Sequence, residues 1–491
     1  MKGILCACGL LLCVTGVMGG QATGVQPLPV DPAVKIALAN ISAERAQADI
    51  EKLVSFGTRN TLSSMDAELP AGQGVNAAAD WITSEFQAMS AECGGCLEVK
   101  RDEFVEPAST SANGRVPKPT KLVNVYAILH GTGGGGSPND KAPWVLVTGH
   151  YDSRATDVMN DKLTAPGAND DSSGVAVSLE SARALSKAGL KLTGTMVFVA
   201  VAGEEQGLLG SRHLAKLAKA EGWPLEAVLN NDIVGGDTTP GAVGQDKDAV
   251  RVFSESVPAV ATPEQEKAML GLGAENDSPS RELAREIVEL APSYFAVTTE
   301  RPPVMKGGMR SQLMRQVPAF HPVMVLRRDR YLRSGDHSSF NAEGFTAVRF
   351  TEWRENFDHQ HQTLRTENGV EYGDLLKFVD FSYVVKVARL DALTLASLAA
   401  APSEPQNVKL LTKDLDNNSE LTWDSAAFAP EGTTYEVVWR ATDEAQWTHA
   451  QDAGTATHLK LDVSKDNVLF GVRAVSAAGA RSLPVPPMPA R

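Results

Sequence analysis

The chain has 491 residues, a formal net charge of −14, 43% hydrophobic residues and 22% charged residues. An acidic chain of this kind excludes a nucleic-acid backbone as partner, because phosphate binding needs a basic face. Its apolar fraction excludes disorder as the main state, and its length allows a sizeable core and more than one domain.

Residues 1–24 have the layout of a secretory signal peptide. Lys2 is the basic start, Ile4 to Val17 the apolar run, and Gly19, Gly20 and Ala22 the small residues beyond it. No stretch reaches the roughly 18 uninterrupted apolar residues of a membrane span. Leu5-Cys6-Ala7-Cys8 loosely resembles a lipobox but sits before any real apolar segment. Export is therefore expected, to a periplasm or the extracellular space, with no membrane span. Cys6, Cys8 and Cys13 leave with the leader, and Cys93 and Cys96 remain. A redox motif would need a thioredoxin-like context and a zinc half-site a second pair. A small local disulfide between Cys93 and Cys96 is the expectation in an exported chain.

Asn76 to Met89 reads as a helix with Ala79, Ile82 and Phe86 on one face. Leu122 to Leu129 and Trp144 to Val147 read as strands. The glycine-rich stretch 131–140 between them lacks the Lys-Ser/Thr and helix of a phosphate loop, and reads as a hairpin connection. Ser173 to Ala188 is helical, Thr195 to Ala202 is a continuous apolar strand, Ser211 to Ala220 is helical and Ala227 to Leu229 is strand-like. Val323 to Leu326 and Ala347 to Phe350 add strands. A helix from about Asp374 to Ala399 closes the domain, with Leu376, Val379, Tyr383, Val387 and Leu390 on one face. This alternation predicts an α/β domain over 25–400 with a mostly parallel central sheet flanked by helices. Pro402 and Pro405 mark a linker, and 401–491 reads as a small all-β sandwich.

Three predicted strands each end in metal-ligand chemistry: Gly149-His150-Tyr151-Asp152, Gly203-Glu204-Glu205 and Asn230-Asn231-Asp232. Sites in open parallel sheets form beyond the carboxyl ends of the strands. Gly167 to Gly174 holds Asp170 and Asp171 before a helix, and Asp358 to Thr363 adds His359 and His361. Each has a structural alternative: a helix cap for the aspartates, surface loop positions for the histidines. Two adjacent carboxylates after a fully apolar strand are costly to bury without cations, and a metal cluster removes that cost.

These residues resemble the M28 zinc aminopeptidases over about 40–395. The carrying motifs are GHYDS (149–153), GANDDSSG (167–174), AGEEQGLLGS (202–211), NNDIVGG (230–236) and a late His before Arg365-Thr366. There is no HExxH helix. The resemblance implies two zinc ions, with His150 and Asp232 on one, Glu205 and His361 on the other, and Asp170 bridging. It implies Asp152 behind His150, Glu204 as general base toward a water shared by the ions, and a peptide or protein substrate with a free N-terminus. His361 is preferred to His359 because Thr366 lies five residues beyond it; the family's usual Asp before that Thr is Arg365 here. Tyr331 and His337 are candidates for assisting the oxyanion. The sandwich resembles a fibronectin type III domain, with Val468 where that family usually has Tyr.

Other reactions on the same fold are a carboxypeptidase, for which Arg327, Arg328 and Arg330 could supply a basic pocket, and a one-zinc glutaminyl cyclase. A non-catalytic binding relative would have lost ligands. Residues 235–330 are long for a strand connection and are expected to form a pocket wall or lid. A chain ending near Ala400 is expected to stay folded.

Overall fold

The computed structural model describes residues 23–111, 114–133, 142–239, 244–300 and 315–491, with the backbone alone for 297–300 and 315–318. The expected leader lies outside the described residues except for Thr23 and Gly24. Those two form strand β1 (Thr23–Gly24), paired with the C-terminal sandwich at Ala450 and His449.

Helices α1 (Pro32–Ala39) and α2 (Ala43–Val54) follow, begun by Asp31 and Ser42 side chains that accept from Ala33 N and Arg45 N. Helix α3 (Gly74–Glu92) buries Ala79, Ile82 and Phe86, the stripe read from the sequence. Cys93 and Cys96 are disulfide-bonded in the turn beyond it. Strands β2 (Leu97–Glu106), β3 (Thr120–Leu129) and β4 (Trp144–His150) come next, then α4 (Ser172–Lys187), β5 (Thr195–Val201), α5 (Leu209–Ala220), β6 (Leu225–Asn231) and β7 (Ala249–Ser254). After α6 (Pro263–Leu272), α7 (Pro279–Tyr294) and the hairpin β8 (Val297–Glu300) and β9 (Arg315–Pro318), the domain is completed by β10 (His321–Val325), α8 (His337–Ala342), β11 (Ala347–Glu352), the hairpin β12 (Arg365–Glu367) and β13 (Val370–Tyr372), and α9 (Phe381–Ala399).

One eight-stranded sheet in the order β10-β7-β11-β6-β4-β5-β3-β2 forms the centre. It is mixed. Neighbours within β11-β6-β4-β5 run parallel, while β2/β3, β3/β5 and β7/β11 are antiparallel. Every residue of β4 and β5 is buried, as expected for strands covered on both faces. Helices α4 and α9 cover one face; α5, with Leu214 and Ala215 against Val197 and Val199, covers the other. β5 lies between β3 and β4, so the stretch after Leu129 crosses a strand and is not a hairpin connection; residues 134–141 of it lie outside the described residues. The long segment 235–330 is also not a separate lid, because it supplies β7 and β10 to the sheet.

The C-terminal strands β14 (Gln406–Leu411), β15 (Ser419–Asp424), β16 (Thr434–Ala441), β17 (His449–Gly454), β18 (His458–Leu461), β19 (Val468–Val475) and β20 (Met488–Ala490) make two sheets, β1-β17-β16-β19 and β18-β15-β14-β20. Trp423, Tyr435, Val437, Phe470 and Val472 fill the space between them. The sandwich docks on α7 through ions. Arg473 Nη1 lies 3.1 Å from Glu289 Oε2, Arg481 Nη1 lies 2.9 Å from Glu289 Oε1, and Trp447 Nε1 donates to Glu282 Oε2 at 2.9 Å.

Candidate metal centre

The carboxyl ends of the parallel strands converge. β4 ends in His150, β6 runs into Asp232, and β5 runs through a left-handed Gly203 (φ 68°) into Glu204 and Glu205. An added Cβ on Gly149 would lie 2.3 Å from the Gly174 carbonyl carbon, so the end of β4 and the start of α4 touch directly. That contact sets the 167–171 loop, with Asp170, against His150. The Asp374 carboxylate holds the loop from outside, accepting from Asn169 N at 2.8 Å and Asp170 N at 2.7 Å. Asp171 caps α4 through Gly174 N (3.0 Å) and also accepts from His150 N (3.0 Å) and Ile233 N (3.2 Å), which ties three of the converging segments together.

Two donor sets result, and they share Asp170: His150, Asp170 and Asp232; and Asp170, Glu205 and His361. His150 Nε2 is 3.2 Å from Asp170 Oδ1 and 3.9 Å from Asp232 Oδ1. His361 Nε2 is 3.0 Å from Asp170 Oδ2 and 3.1 Å from Glu205 Oε1. On the far side of the His150 ring, Nδ1 is 3.1 Å from the Asp152 carbonyl oxygen and 3.4 Å from its carboxylate. That carboxylate also accepts from Glu204 N and Glu205 N, each at 3.1 Å, so it orients the β5 turn as well as the ring.

Asp170 and Glu205 are paired with imidazoles and not with guanidiniums. Burial would lower the His361 pKa, but Glu205 and Asp170 outweigh it and push it up to about 10. His150 is raised well above its ordinary value in the same way, its bonds to Asp152 and Asp170 overcoming burial. Burial, helped by the charges of Glu205 and Asp232, holds the Glu204 carboxyl well above the usual carboxylate range, with His150 opposing. The cluster thus answers its own charge by keeping protons. Glu205 Oε1 takes no aligned hydrogen bond despite the nearby imidazole. Buried carboxylates mixed with two imidazoles, one oxygen unmet, fit zinc better than calcium or magnesium, which take all-oxygen cages.

The structure places the remaining candidates elsewhere. His359 Nδ1 donates to Asp237 Oδ2 (2.5 Å), its ring stacks on Phe378, and it belongs to neither donor set. Tyr331 is 79% exposed, with its hydroxyl accepting from Arg327 Nη2 at 2.7 Å, and does not line the cleft. His337 is fully buried, 2.8 Å from the Arg328 carbonyl, and its pKa is lowered by burial to about 4; it too is outside the cleft. Of the three arginines considered for a basic pocket, only Arg330 lines the cleft, and Glu355 pairs with it at 2.6 Å. Arg349, Asp374 and Gln360 were not foreseen. Arg349 is fully buried, its Nη1 2.9 Å from Asp232 Oδ2, which leaves Oδ1 turned toward His150. Gln360 donates to Asp170 Oδ2 at 3.0 Å. A lone charge inside the apolar run Ala347 to Phe350 was the available signal for Arg349.

Fold and site define an α/β protein with a candidate metal-binding cluster at its strand ends, and it is similar to known proteins. A family model described as peptidase family M28 matches residues 124–275. A protein of Pyrenophora teres f. teres named a probable zinc metalloprotease is 41% identical over 467 residues, 94% of this chain and 88% of that one. One of Pyricularia oryzae with the same name is 40% identical over 467 residues, covering 94% and 85%. Matches this long take in the C-terminal sandwich. Among solved structures, LapA of Legionella pneumophila is alike in fold, with a TM-score of 0.50 at 18% identity over 76% of this chain and 78% of that one. The chain belongs to peptidase family M28.

Proposed function

We propose that this protein is an exported, zinc-dependent aminopeptidase that removes N-terminal residues from peptides, with Glu204 as general base. The observation that carries the reading is the pair of donor sets joined through Asp170, with Glu204 beside them in the same cleft. His150, Asp170 and Asp232 would hold one ion, and Asp170, Glu205 and His361 the other. Zinc bound there supplies a Lewis acid that polarises the scissile carbonyl and makes water acidic near neutral pH.

Glu204 and Glu205 are adjacent, yet only Glu205 belongs to a donor set. Glu204 is left to move a proton. It takes one from the attacking water as the water oxygen bonds to the carbonyl carbon. It gives that proton to the amide nitrogen as the C–N bond breaks, so the base is returned unchanged. The acidic floor of the cleft favours a cationic free amino group over an acetylated one. Export rests on the leader and the Cys93–Cys96 disulfide. No helix among the described residues is long and apolar enough to cross a membrane. The sandwich, read as fibronectin type III-like, contributes no residue to the cleft lining and serves as a docked accessory domain.

The test is mass spectrometry of a peptide mixture with free and acetylated amino ends, before and after chelation and zinc return. Stepwise loss of N-terminal residues is expected, blocked by acetylation and restored by zinc. Trimming from the carboxyl end, or indifference to acetylation, would contradict it.

A further inference from the structure

The cleft over the metal centre has a volume of about 330 Å³, at the lower end of the roughly 300–1,000 Å³ of small-molecule sites. Its floor is acidic and its rim is basic, with Arg115, Arg154, Arg330 and Arg333 all reaching it. The four arginines are not equivalent. Arg330 Nη1 and Arg333 Nη1 lie 2.6 and 2.7 Å from Glu355 Oε2, so one carboxylate answers both. Arg115 and Arg154 pair with no carboxylate among the described residues. Arg115 donates from Nη1 to the backbone carbonyl of Glu205 at 2.7 Å. Arg154 donates from Nε to the Ala155 carbonyl at 3.1 Å and from Nη2 to the Thr156 carbonyl at 2.7 Å. Those carbonyl bonds fix the two guanidiniums at the rim without neutralising them.

The charge of the whole chain, −14, makes this local surplus informative. Divalent ions would answer Asp170, Glu205 and Asp232, and two full positive charges would then remain at the mouth. A guanidinium fork is shaped for a carboxylate, which it can grip through two parallel hydrogen bonds. We infer that the cleft selects substrates carrying a carboxylate within reach of Arg115 and Arg154. This rests on the peptidase reading and narrows its substrate class. The carboxylate has two sources: the free C-terminus of a very short peptide, or an Asp or Glu side chain beside the cleaved bond.

The test reads binding, so that it does not depend on turnover. Zinc-loaded full-length protein carrying Glu204→Gln is titrated by calorimetry with two peptide pairs. The first pair is trialanine with a free and with an amidated C-terminus. The second is a hexapeptide amide with Glu or Gln at its second position. The carboxylate form is expected to bind at least about tenfold more tightly in one pair, and that pair names the source. Adding Arg115→Gln and Arg154→Gln should bring the ratio to within about twofold of one; the single substitutions serve if the combination loses zinc. Ratios near one in both pairs, or a preference that survives the arginine substitutions, would overturn the inference. Failure of the unsubstituted enzyme to trim any peptide would instead count against the aminopeptidase reading and leave the binding ratios standing.

Discussion

Two groups of carboxylates are withdrawn from water in this molecule, and they are balanced by different cations. Where the sandwich meets α7, Glu282, Glu286 and Glu289 lie among Arg285, Arg473 and Arg481, with Glu436 completing the group. Arg440 reaches across to Asp277 in the same interface. Each acid there lies within 4 Å of a guanidinium, a group that never loses its charge; Glu286 is the loosest, 3.9 Å from Arg473, and burial with Glu289 pushes its carboxyl up to about 8. At the strand ends, Asp170 and Glu205 face imidazoles, and Asp232 pairs with an arginine, Arg349. An imidazole can give up its proton and become a ligand. The first group is closed and structural; the second is open to a metal. Residue type, more than acid count, separates an ionic joint from a metal centre.

The largest expected effect is on rate. Glu204→Gln should lower kcat by about 10²–10⁴-fold while the zinc content stays at the wild-type value, as read by metal analysis beside peptide turnover. Activity within tenfold of the parent would remove Glu204 from its role. Next is the joint. Arg473→Met leaves Glu289 and Glu436 short of a partner and should cost about 3–5 kcal/mol in denaturant unfolding, again with unchanged zinc. A cost below about 1 kcal/mol would mean that the two groups are not balanced differently after all. Arg349→Met joins the two halves of the comparison, since it takes from the metal side the guanidinium paired with Asp232. About 10–100-fold weaker binding of one zinc ion is expected, measured by competition with a chelator.

The smallest effect is a pH slope. Glu352 is buried, accepts from Asn169 Nδ2 and Asp237 N at 3.1 Å each, and burial pushes its carboxyl up to about 8 from an ordinary 4.5. A raised folded-state pKa means the folded protein holds this proton more tightly. The stabilisation is full below about pH 4.5 and is lost as pH rises through about 8. Thermal melting of the zinc-free protein should therefore fall between pH 6 and 9, with a shallower fall in Glu352→Gln. Equal slopes in the two proteins would show that Glu352 is ionised throughout.

The strand ends of this site were legible because fully buried strands are unbroken apolar runs, and each such run stopped at a ligand type. β4, β5 and β6 were found this way. β2 was not, because Leu97–Glu106 is a mostly exposed edge strand rich in Lys, Arg, Asp and Glu and carries no apolar run. β7 lies inside the long segment 235–330, read only as a pocket wall or lid, whose last residue, Arg330, does line the cleft. Asp374 could not be read at all: it meets Asp170 across 204 residues, and only the packing of α4 and α9 on one sheet face brings them together. Tyr331 and His337, the candidates for assisting the oxyanion, do not line the cleft. Tyr331 turns to solvent against Arg327, and His337 turns inward at the start of α8.

The most direct test of the central claim is zinc titration of the chelated protein, followed by metal analysis after desalting. The account predicts two zinc ions per chain, falling below one in Asp170→Asn, because both donor sets lose their shared member. One ion per chain in the parent, or two retained without Asp170, would contradict it.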